Sequence, residues 1–353
     1  MAGTTARIGS APLPDGREAE EFVLDDGRGM AARVGTHGAR LLSLRVPDRA
    51  GAPVEVVLGY DRLEDWAADD GFMGATIGRC ANRIAGGRFE LDGQTFHVPI
   101  NRPPNALHGG PRGFDKAVWR AKPADGAAAL TLAHTSPDGD QGFPGTLRAG
   151  VRYALTGDGA LRLDYVAETD RATVVNLTNH AYFNLAGGGS VLDHRLTIAA
   201  DRFTPVDAAL VPTGELRPVA GTPLDFREPA RIGARVDEPG DEQLRVAGGY
   251  DHNFVLRPAP PGQAMRLAAR LEEPSRGLSM EVWTTEPGLQ FYSGNFLDGS
   301  RRGRDSVPLA HRGGLCLETQ HFPDSPNRPE FPSVVLRPGE TFRSSTLYRF
   351  SLT

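Results

Sequence analysis

Residues 176–185, Asn-Leu-Thr-Asn-His-Ala-Tyr-Phe-Asn-Leu, bring one histidine together with three asparagines and two aromatic residues. They follow two valines and end just before three consecutive glycines. A strand that buries one face alternates apolar and polar residues, whereas this stretch concentrates amides, a phenol and an imidazole. Because these groups need hydrogen-bond partners once they are buried, the stretch predicts a binding site for a polyhydroxylated ligand. His180 is its candidate functional residue, and a histidine satisfied within the core is the alternative.

Two earlier stretches also carry polar groups that suit hydroxyls. Asn82 offers a donor and an acceptor, and Arg83 offers a planar fork of donors, although a surface salt bridge is an equal alternative for the arginine. His108 stands immediately before Gly109 and Gly110. Since glycines let the backbone approach a ligand closely, we predict that His108 is exposed at a loop tip, with a backbone-satisfied histidine as the alternative.

Two acidic residues complete the candidates. Asp251 precedes a histidine, an asparagine and an apolar run, so its carboxylate could grip hydroxyls through charge-assisted hydrogen bonds or simply cap a turn. The neighbouring His252 is interpreted as structural. Glu318 ends an apolar run and precedes a Pro-rich loop. We predict it at a strand end facing a cleft, which suits a general base, while a solvated rim carboxylate is the alternative.

The composition and the motifs argue against several classes of protein. The 39 Lys and Arg against 44 Asp and Glu give a net charge of −5, and no basic stripe is interleaved with aromatics, so nucleic acid is not an expected partner. Neither a secretory signal nor a run of membrane-spanning length is present, so we expect a soluble, cytoplasmic protein. Cys80 and Cys316 are predicted to be buried, inert thiols. Phosphate-binding and zinc-binding motifs are missing from the sequence.

The 43 glycines and 28 prolines are typical of a chain rich in turns and strands. Asp92-Gly93 separates two short alternating runs and predicts a tight hairpin. A longer hairpin is predicted for residues 147–165, turning at residues 157–159. Helical spacing is nearly absent outside residues 61–70. We therefore predict an all-β fold, one large antiparallel β-sandwich over residues 21–353, preceded by a flexible segment over residues 1–20.

Six motifs together resemble the aldose 1-epimerase (galactose mutarotase) family, in the family's order, from about Glu21 to the end of the chain. The resemblance implies a β-supersandwich that interconverts the α and β anomers of free aldohexoses such as galactose and glucose, without metal or cofactor. Cys80 departs from the aliphatic or aromatic residue that is usual in the first motif. The motifs are Asn82-Arg83 and residues 107–110, 179–185, 250–254, 286–292 and 318–326.

The resemblance also assigns roles. His180 would be the general acid and Glu318 the general base. A free aldohexose is the expected partner, and, independently of the resemblance, the chain is expected to be a monomer or a homodimer. We expect the glutamate, with a reference pKa of about 4.3, to be ionised at neutral pH, and the histidine to carry a proton if carboxylates favour it. Proximity of the two groups rests on the resemblance. The implied sugar-binding residues are Asn82, Arg83, His108, Tyr182, Asp251 and Gln290.

Three rival functions remain open from the sequence. An epimerase for phosphorylated hexoses would need extra basic residues to clamp the phosphate. A non-catalytic sugar sensor would have no need for a matched acid and base. A glycosidase would normally need two carboxylates flanking the bond, whereas the strongest pair here is His180 with Glu318.

Overall fold

The computed structural model describes residues 3–353, and most of its regular structure is antiparallel β-strand. The strands of the first half are β1 Thr4–Pro12, β2 Glu18–Asp25, β3 Ala31–Gly35, β4 Arg40–Pro47, β5 Pro53–Glu55, β6 Thr76–Ile77, β7 Arg83–Ile84, β8 Arg88–Leu91, β9 Gln94–His97, β10 Ala106–Leu107, β11 Arg120–Pro123, β12 Ala129–Ser136, β13 Leu147–Leu155 and β14 Ala160–Thr169. Those of the second half are β15 Thr173–Val174, β16 Thr178–Asn179, β17 Arg195–Ile198, β18 Ala200–Thr204, β19 Arg217–Pro218, β20 Ala230–Arg231, β21 Asp251–Leu256, β22 Arg266–Glu273, β23 Leu278–Thr284, β24 Gly288–Tyr292, β25 Cys316–Gln320, β26 Val335–Leu336 and β27 Phe342–Leu352.

Helices are few and short. The sequence predicted a turn or two of helix within residues 61–70, and α1 occupies Leu63–Ala67 there. It missed α2, Glu242–Ala247, whose N-terminus is capped by the side chain of Asp241 on the Leu244 N–H. Single 3₁₀ turns span Ala85–Gly87, Phe114–Lys116, Asp140–Gly142, Ile232–Ala234, Arg304–Ser306 and Ser325–Asn327. Within the described part of the chain, no helix has both the length and the apolar character needed to cross a membrane.

Three sheets hold most of the strands. One contains β1 to β5 in chain order, a second runs β11-β12-β13-β14-β27-β23-β22-β17-β20, and a third runs β19-β18-β21-β24-β25. The C-terminal strand β27 lies in the middle of the nine-stranded sheet, paired with β14 on one side and β23 on the other. It therefore joins elements that are far apart in the sequence. Two-stranded ladders pair β7 with β10, β8 with β9, β6 with β16 and β15 with β26.

The three sheets share one apolar core, as a sandwich requires. Leu44 from the first sheet, Leu163 from the second and Phe291 from the third are fully buried members of the same cluster. Burying such a side chain contributes about 1.5–3 kcal/mol, so the cluster dominates the stability of the fold. Both cysteines are buried free thiols, as predicted. The predicted all-β class is confirmed.

Both predicted hairpins are present. Asp92 and Gly93 have φ values of 50° and 75° and connect β8 to β9, because a tight hairpin turn needs positive φ at both central positions. The strands β13 and β14 pair from Leu147↔Thr169 to Leu155↔Leu161, which is the predicted long hairpin.

The N-terminal segment is more ordered than the sequence suggested. Strand β1 pairs with β2 along its length. The Thr5 hydroxyl donates to the Ala127 carbonyl and accepts the Ala129 N–H, which attaches β1 to the start of β12. The folded structure thus begins upstream of the predicted boundary at residue 21, which falls inside β2. Pairing with β2 and the hydrogen bonds of the Thr5 hydroxyl explain the difference, because an edge strand that its backbone holds in place needs few apolar residues.

Candidate active site

A cavity of about 260 Å³ brings together most of the residues singled out in the sequence. Drug-sized ligands occupy pockets of about 300–1,000 Å³, so this cavity suits something the size of one sugar ring. Seven of the eight predicted site residues line it: Asn82, Arg83, His108, His180, Tyr182, Asp251 and Glu318. The other lining residues are Asp70, Gly71, Phe72, Arg102, Leu107, Tyr292 and Phe296.

Adjacent strands of the third sheet provide the acidic wall of the cavity. In the register of β21, β24 and β25, Asp251 lies opposite Tyr292, and Gln290 lies opposite Glu318. Glu318 is the third of five residues in β25, so the prediction of a strand end was wrong. The apolar and polar residues of this strand are all buried because both of its faces are covered, which hides the usual alternation.

Gln290 is the one predicted residue that does not line the cavity. It is only 3% exposed, and its amide donates to the Asp251 Oδ1 at 2.7 Å. Gln290 therefore lies behind Asp251 and orients the carboxylate.

His180 is held by its backbone on both sides. Its N–H donates to the Ala75 carbonyl at 2.9 Å, and its carbonyl accepts the Gly74 N–H at 2.8 Å. The side chain of the preceding Asn179 donates to the Gly74 carbonyl at 2.8 Å and to the Tyr153 hydroxyl at 3.1 Å. The segment containing Gly74 and Ala75 is thus the support that places His180 in the cavity.

Replacing Gly74 by alanine is expected to destabilise the protein and lower its activity. Gly74 has φ of +67°, and an added Cβ would lie 2.1 Å from the Leu41 carbonyl oxygen, so the backbone beside His180 must move. Gly86 is the matched control, since it has φ of +59° and open space around its Cβ. Thermal denaturation should show a loss of about 1–2 kcal/mol for Gly86→Ala, from the left-handed backbone alone, and a larger loss for Gly74→Ala. Equal losses would contradict the steric argument.

The asparagines of the opening stretch bind backbone rather than the cavity. Asn176 exchanges two hydrogen bonds with the backbone of His321. Asn184 donates to the carbonyls of Gly189 and Gly313. The asparagines near His180 therefore stabilise the irregular backbone around the site. The prediction that these amides face a ligand was wrong, because loop carbonyls and N–H groups satisfy them first.

His108 is buried, with 5% exposure, and is not exposed at a loop tip. Its N–H donates to the Asn82 carbonyl at 2.9 Å, and its Nδ1 accepts the Asn82 N–H at 3.2 Å. Gly109 permits close approach to the Gly78 backbone rather than to a ligand, since an added Cβ would lie 2.0 Å from the Gly78 carbonyl oxygen. Neutral His108 with an accepting Nδ1 carries its proton on Nε2, so it is a donor towards the cavity.

His180 and Glu318 meet, as the resemblance implied. The Nε2 of His180 lies 3.7 Å from the Glu318 Oε1, with side chains 7% and 3% exposed. Burial lowers the pKa of His180 to about 4. Burial, with Asp251 adding to it, raises the pKa of Glu318 well above its usual range, while Arg83 opposes the shift. Both shifts run against the expectation of an ionised glutamate and a protonated histidine, because burial disfavours the charged form of each group.

Arg83 is the main positive charge near these carboxyls. Its guanidinium lies in the cavity wall and forms no salt bridge with any residue from 3 to 353. Burial raises the pKa of Asp251, and the Arg83 charge and the Gln290 amide oppose that rise. Arg83 thus favours the ionised form of both carboxyls.

The ring nitrogens of His108 and His180 and a Glu318 oxygen lie within 4.8 Å of one another, which is close enough to consider a metal site. These three side chains do not suit the coordination of a metal ion. A metal needs a lone pair from each imidazole, whereas the Asn82 N–H already uses the Nδ1 lone pair of His108 and leaves a proton on its Nε2. The cluster is better suited to hydrogen bonds and proton transfer.

Two aromatic residues of the site, Phe72 and Phe296, carried no sequence signal. Phe72 has φ of 58° and packs its ring 4.6 Å from His108 and 6.0 Å from His180, measured between ring centroids. Tyr292 accepts the Phe296 N–H at 2.7 Å, so it fixes the loop that carries the 68% exposed Phe296 at the mouth. Tyr292 ends a motif quoted above, whereas Phe72 lies in an irregular loop. His252 is fully buried against Phe203, outside the cavity, as predicted.

Comparisons with known proteins agree with this geometry. Residues 20–349 match the aldose 1-epimerase family. The chain is 43% identical to the galactose mutarotase of Homo sapiens over the full length of both chains. It is 44% identical to the aldose 1-epimerase of Escherichia coli K12, over 96% of this chain and 97% of that protein.

Solved structures show the same likeness in three dimensions. A galactose 1-epimerase from Lactobacillus acidophilus superposes with a TM-score of 0.86 and 29% identity, over 99% of both chains. An aldose epimerase homologue from C. elegans superposes with a TM-score of 0.84 and 28% identity, over 99% of this chain and all of that one.

Proposed function

This chain belongs to the aldose 1-epimerase family, and we propose that its cavity interconverts the α and β anomers of free aldohexoses such as galactose and glucose. One observation carries the proposal. An imidazole nitrogen and a carboxyl oxygen lie 3.7 Å apart in a buried cavity of about 260 Å³. One acid and one base at the same end of a sugar ring are what anomer exchange requires.

The reaction needs two proton transfers. The C1 hydroxyl loses a proton to a base while the ring oxygen gains one from an acid, and the C1 to ring-oxygen bond breaks. The resulting aldehyde rotates about C1–C2, and the ring closes on the other face with both transfers reversed. We assign the first proton to Glu318 and the second to His180, each positioned transfer contributing about 10²–10⁴-fold.

Burial favours the protonation states that His180 and Glu318 reach when the sugar ring opens. The pair holds one proton in total, either as carboxylate with imidazolium or as carboxylic acid with neutral imidazole. Ring opening converts the first form into the second, and the pKa directions of Glu318 and His180 both favour the second in a desolvated cavity. The protein therefore stabilises the form that accompanies the open-chain aldehyde. In the closed-ring complex, the Arg83 charge supports the ionised carboxylate.

The remaining lining residues bind and orient the sugar in this proposal. The Asn82 amide, the Arg83 guanidinium and the Nε2–H of His108 offer donors to hydroxyl oxygens, and Asp251 accepts from hydroxyl hydrogens. Tyr182 packs its ring 5.1 Å from His180 between centroids and donates its hydroxyl to the Gly71 carbonyl, so it shapes the wall. Gln290 contributes through Asp251.

We also propose that the strands from β1 to β27 form a single domain that acts as a monomer or a homodimer in the cytoplasm. The β27 pairings on both sides support one domain. The assigned acid, base and cavity-lining sugar-binding residues all come from this chain, as they would in a monomer or in a homodimer with separate sites. Both cysteines are free thiols. Cysteines are usually kept in this state in a reducing compartment such as the cytoplasm.

Polarimetry on freshly dissolved α-D-galactose and α-D-glucose tests the proposal. Purified protein should accelerate the decay of optical rotation above the buffer rate, and heat-denatured protein should not. Tight sugar binding without acceleration would favour a sugar sensor. Acceleration with glucose 6-phosphate but with neither free sugar would favour the phosphosugar alternative, with Arg83 and Arg102 as the cavity's two arginines.

Catalytic activity should begin to fall only at a low pH. A second proton reaches the His180–Glu318 pair only as pH falls towards the His180 pKa of about 4, and the pair then has no group left to accept the C1 proton. Activity per folded molecule should thus show its acid-side fall below about pH 5. Buffer-corrected rates, with circular dichroism at each pH, check this. A decline centred near pH 6.5, the ordinary value for histidine, would show that burial does not depress the pKa.

A further inference from the structure

One strand contacts both ring nitrogens of His180. The Cys316 Sγ lies 3.4 Å from Nδ1, and the Glu318 Oε1 lies 3.7 Å from Nε2. Residues two apart in a strand point to the same face, so β25 presents a thiol and a carboxyl side by side to the imidazole. Cys316 is fully buried, and the cavity lining includes Glu318 but not Cys316. The sulfur therefore contacts the nitrogen that faces away from the cavity.

Packing restricts how the imidazole can turn. Its ring stacks on Tyr182, with centroids 5.1 Å apart and planes 28° apart, and on Phe72 at 6.0 Å and 29°. A ring flip would exchange the environments of the two nitrogens and has to displace these aromatic neighbours. Nδ1 is thus kept at the sulfur.

We propose that Cys316 is a positioning residue whose Sγ accepts a hydrogen bond from the Nδ1–H of His180, so that Nε2 alone exchanges a proton with the sugar. The inference rests on the proposed function for the identity of the exchanging partner. The hydrogen bond itself is a property of the folded chain and is testable without substrate.

The proton count explains why the direction of this bond matters. When the imidazolium gives its Nε2 proton to the ring oxygen, the neutral ring that remains carries its proton on Nδ1, facing Cys316. A partner that accepts from Nδ1–H fits the ring before and after the transfer. A thiol that instead donated to Nδ1 would place the proton on Nε2 of neutral His180. No lone pair would then face Glu318.

The hydrogen bond from the His180 Nδ1–H to Cys316 should be weak, and a thiol sulfur provides a weak acceptor. A thiol is a weak acceptor, so it orients the imidazole without stabilising imidazolium as a carboxylate would. Burial raises the pKa of Cys316 well above its usual range, so the group remains a thiol rather than a thiolate. His180 is held in one tautomer and still gives up its proton readily.

Nitrogen NMR of ¹⁵N-histidine-labelled protein tests the inference. The signals of His180 are assigned by their absence from His180→Asn. At pH 7 the wild-type protein should show neutral His180 protonated on Nδ1, and a ring protonated on Nε2 would overturn the inference. This measurement needs no variant of Cys316 and no activity.

Variants of Cys316 extend the test to catalysis. Cys316→Ser keeps an acceptor and should retain the Nδ1–H tautomer and kcat. Cys316→Ala should give a mixture of tautomers and lower kcat for galactose about 10- to 100-fold with KM unchanged, a loss of the size seen when the partner that orients a metal-binding histidine is removed. Cys80→Ala is the control, since Cys80 is buried in a separate apolar cluster.

The outcomes separate the two proposals. Wild-type kcat and tautomer in Cys316→Ala would overturn the positioning role. A correct tautomer in wild type, combined with no acceleration of any aldose, would leave the hydrogen bond established and defeat the proposed function alone. If Cys316→Ala fails to fold, Cys316→Ser and the wild-type spectrum still decide the direction of the bond.

Discussion

Replacing Glu318 by glutamine is expected to lower kcat/KM for galactose about 10²–10⁴-fold, because the amide keeps the shape of the side chain but cannot take the C1 proton. Folding should not suffer. The Oε2 of Glu318 is buried and has no hydrogen-bond partner within the described chain, so the substitution breaks no hydrogen bond at that atom and is expected to leave the melting temperature nearly unchanged. Polarimetry and thermal denaturation of the purified variant measure the two effects.

Glu273→Gln is the matched control for Glu318→Gln. Glu273 is also buried, at 5% exposure, but its carboxylate accepts hydrogen bonds from Ser275 and Arg276 in the turn after β22, outside the cavity. That variant should lose stability and keep its activity when folded. Near-normal turnover by Glu318→Gln would remove Glu318 from its role as base.

Replacing His180 by asparagine is expected to cause a loss of similar size, about 10²–10⁴-fold in kcat, because an amide cannot carry the proton that the ring oxygen needs. The affinity for galactose should change far less, since the donors and acceptors around the sugar remain. Turnover by polarimetry and binding by calorimetry separate the two quantities. A variant that lost binding rather than turnover would indicate that His180 only holds the sugar.

His194→Asn is the control for that substitution. His194 is buried, and its Nε2 accepts the Leu185 N–H at 3.0 Å, away from the cavity. Burial lowers its pKa to about 4, much as it does for His180. The control should therefore lose stability by about 1–3 kcal/mol without losing turnover in the folded protein. A matching loss of activity would indicate that any buried histidine disturbs the cavity.

The sequence was informative about the fold wherever one face of a strand is exposed. The β13–β14 hairpin and the Asp92-Gly93 turn follow from period-2 alternation and turn chemistry. The sequence predicted strands poorly wherever both faces of a strand are covered, because burial of every residue removes the alternation of apolar and polar residues. Strand β25, which carries Glu318, is an example. Helix α2 was missed because it has only six residues, too few to show helical spacing.

The site was predictable in its residues and not in its electrostatics. Motif resemblance brought His180 and Glu318 together, and the structure has them in contact. The burial that shifts both of their pKa values comes from Phe72 and other residues distant in sequence. The same holds for the amides around His180, whose partners are loop backbone that no local pattern reveals.

The central claim is that His180 and Glu318 act as one acid–base unit on a free aldose. The most direct test is the anomeric exchange rate of [1-¹³C]galactose at equilibrium, measured by exchange NMR for wild type, Glu318→Gln, His180→Asn and the double variant. Residues that act as a unit are strongly non-additive, so the double variant should be no slower than the slower single variant. A double loss equal to the product of the two single losses would contradict the claim and make the two groups independent.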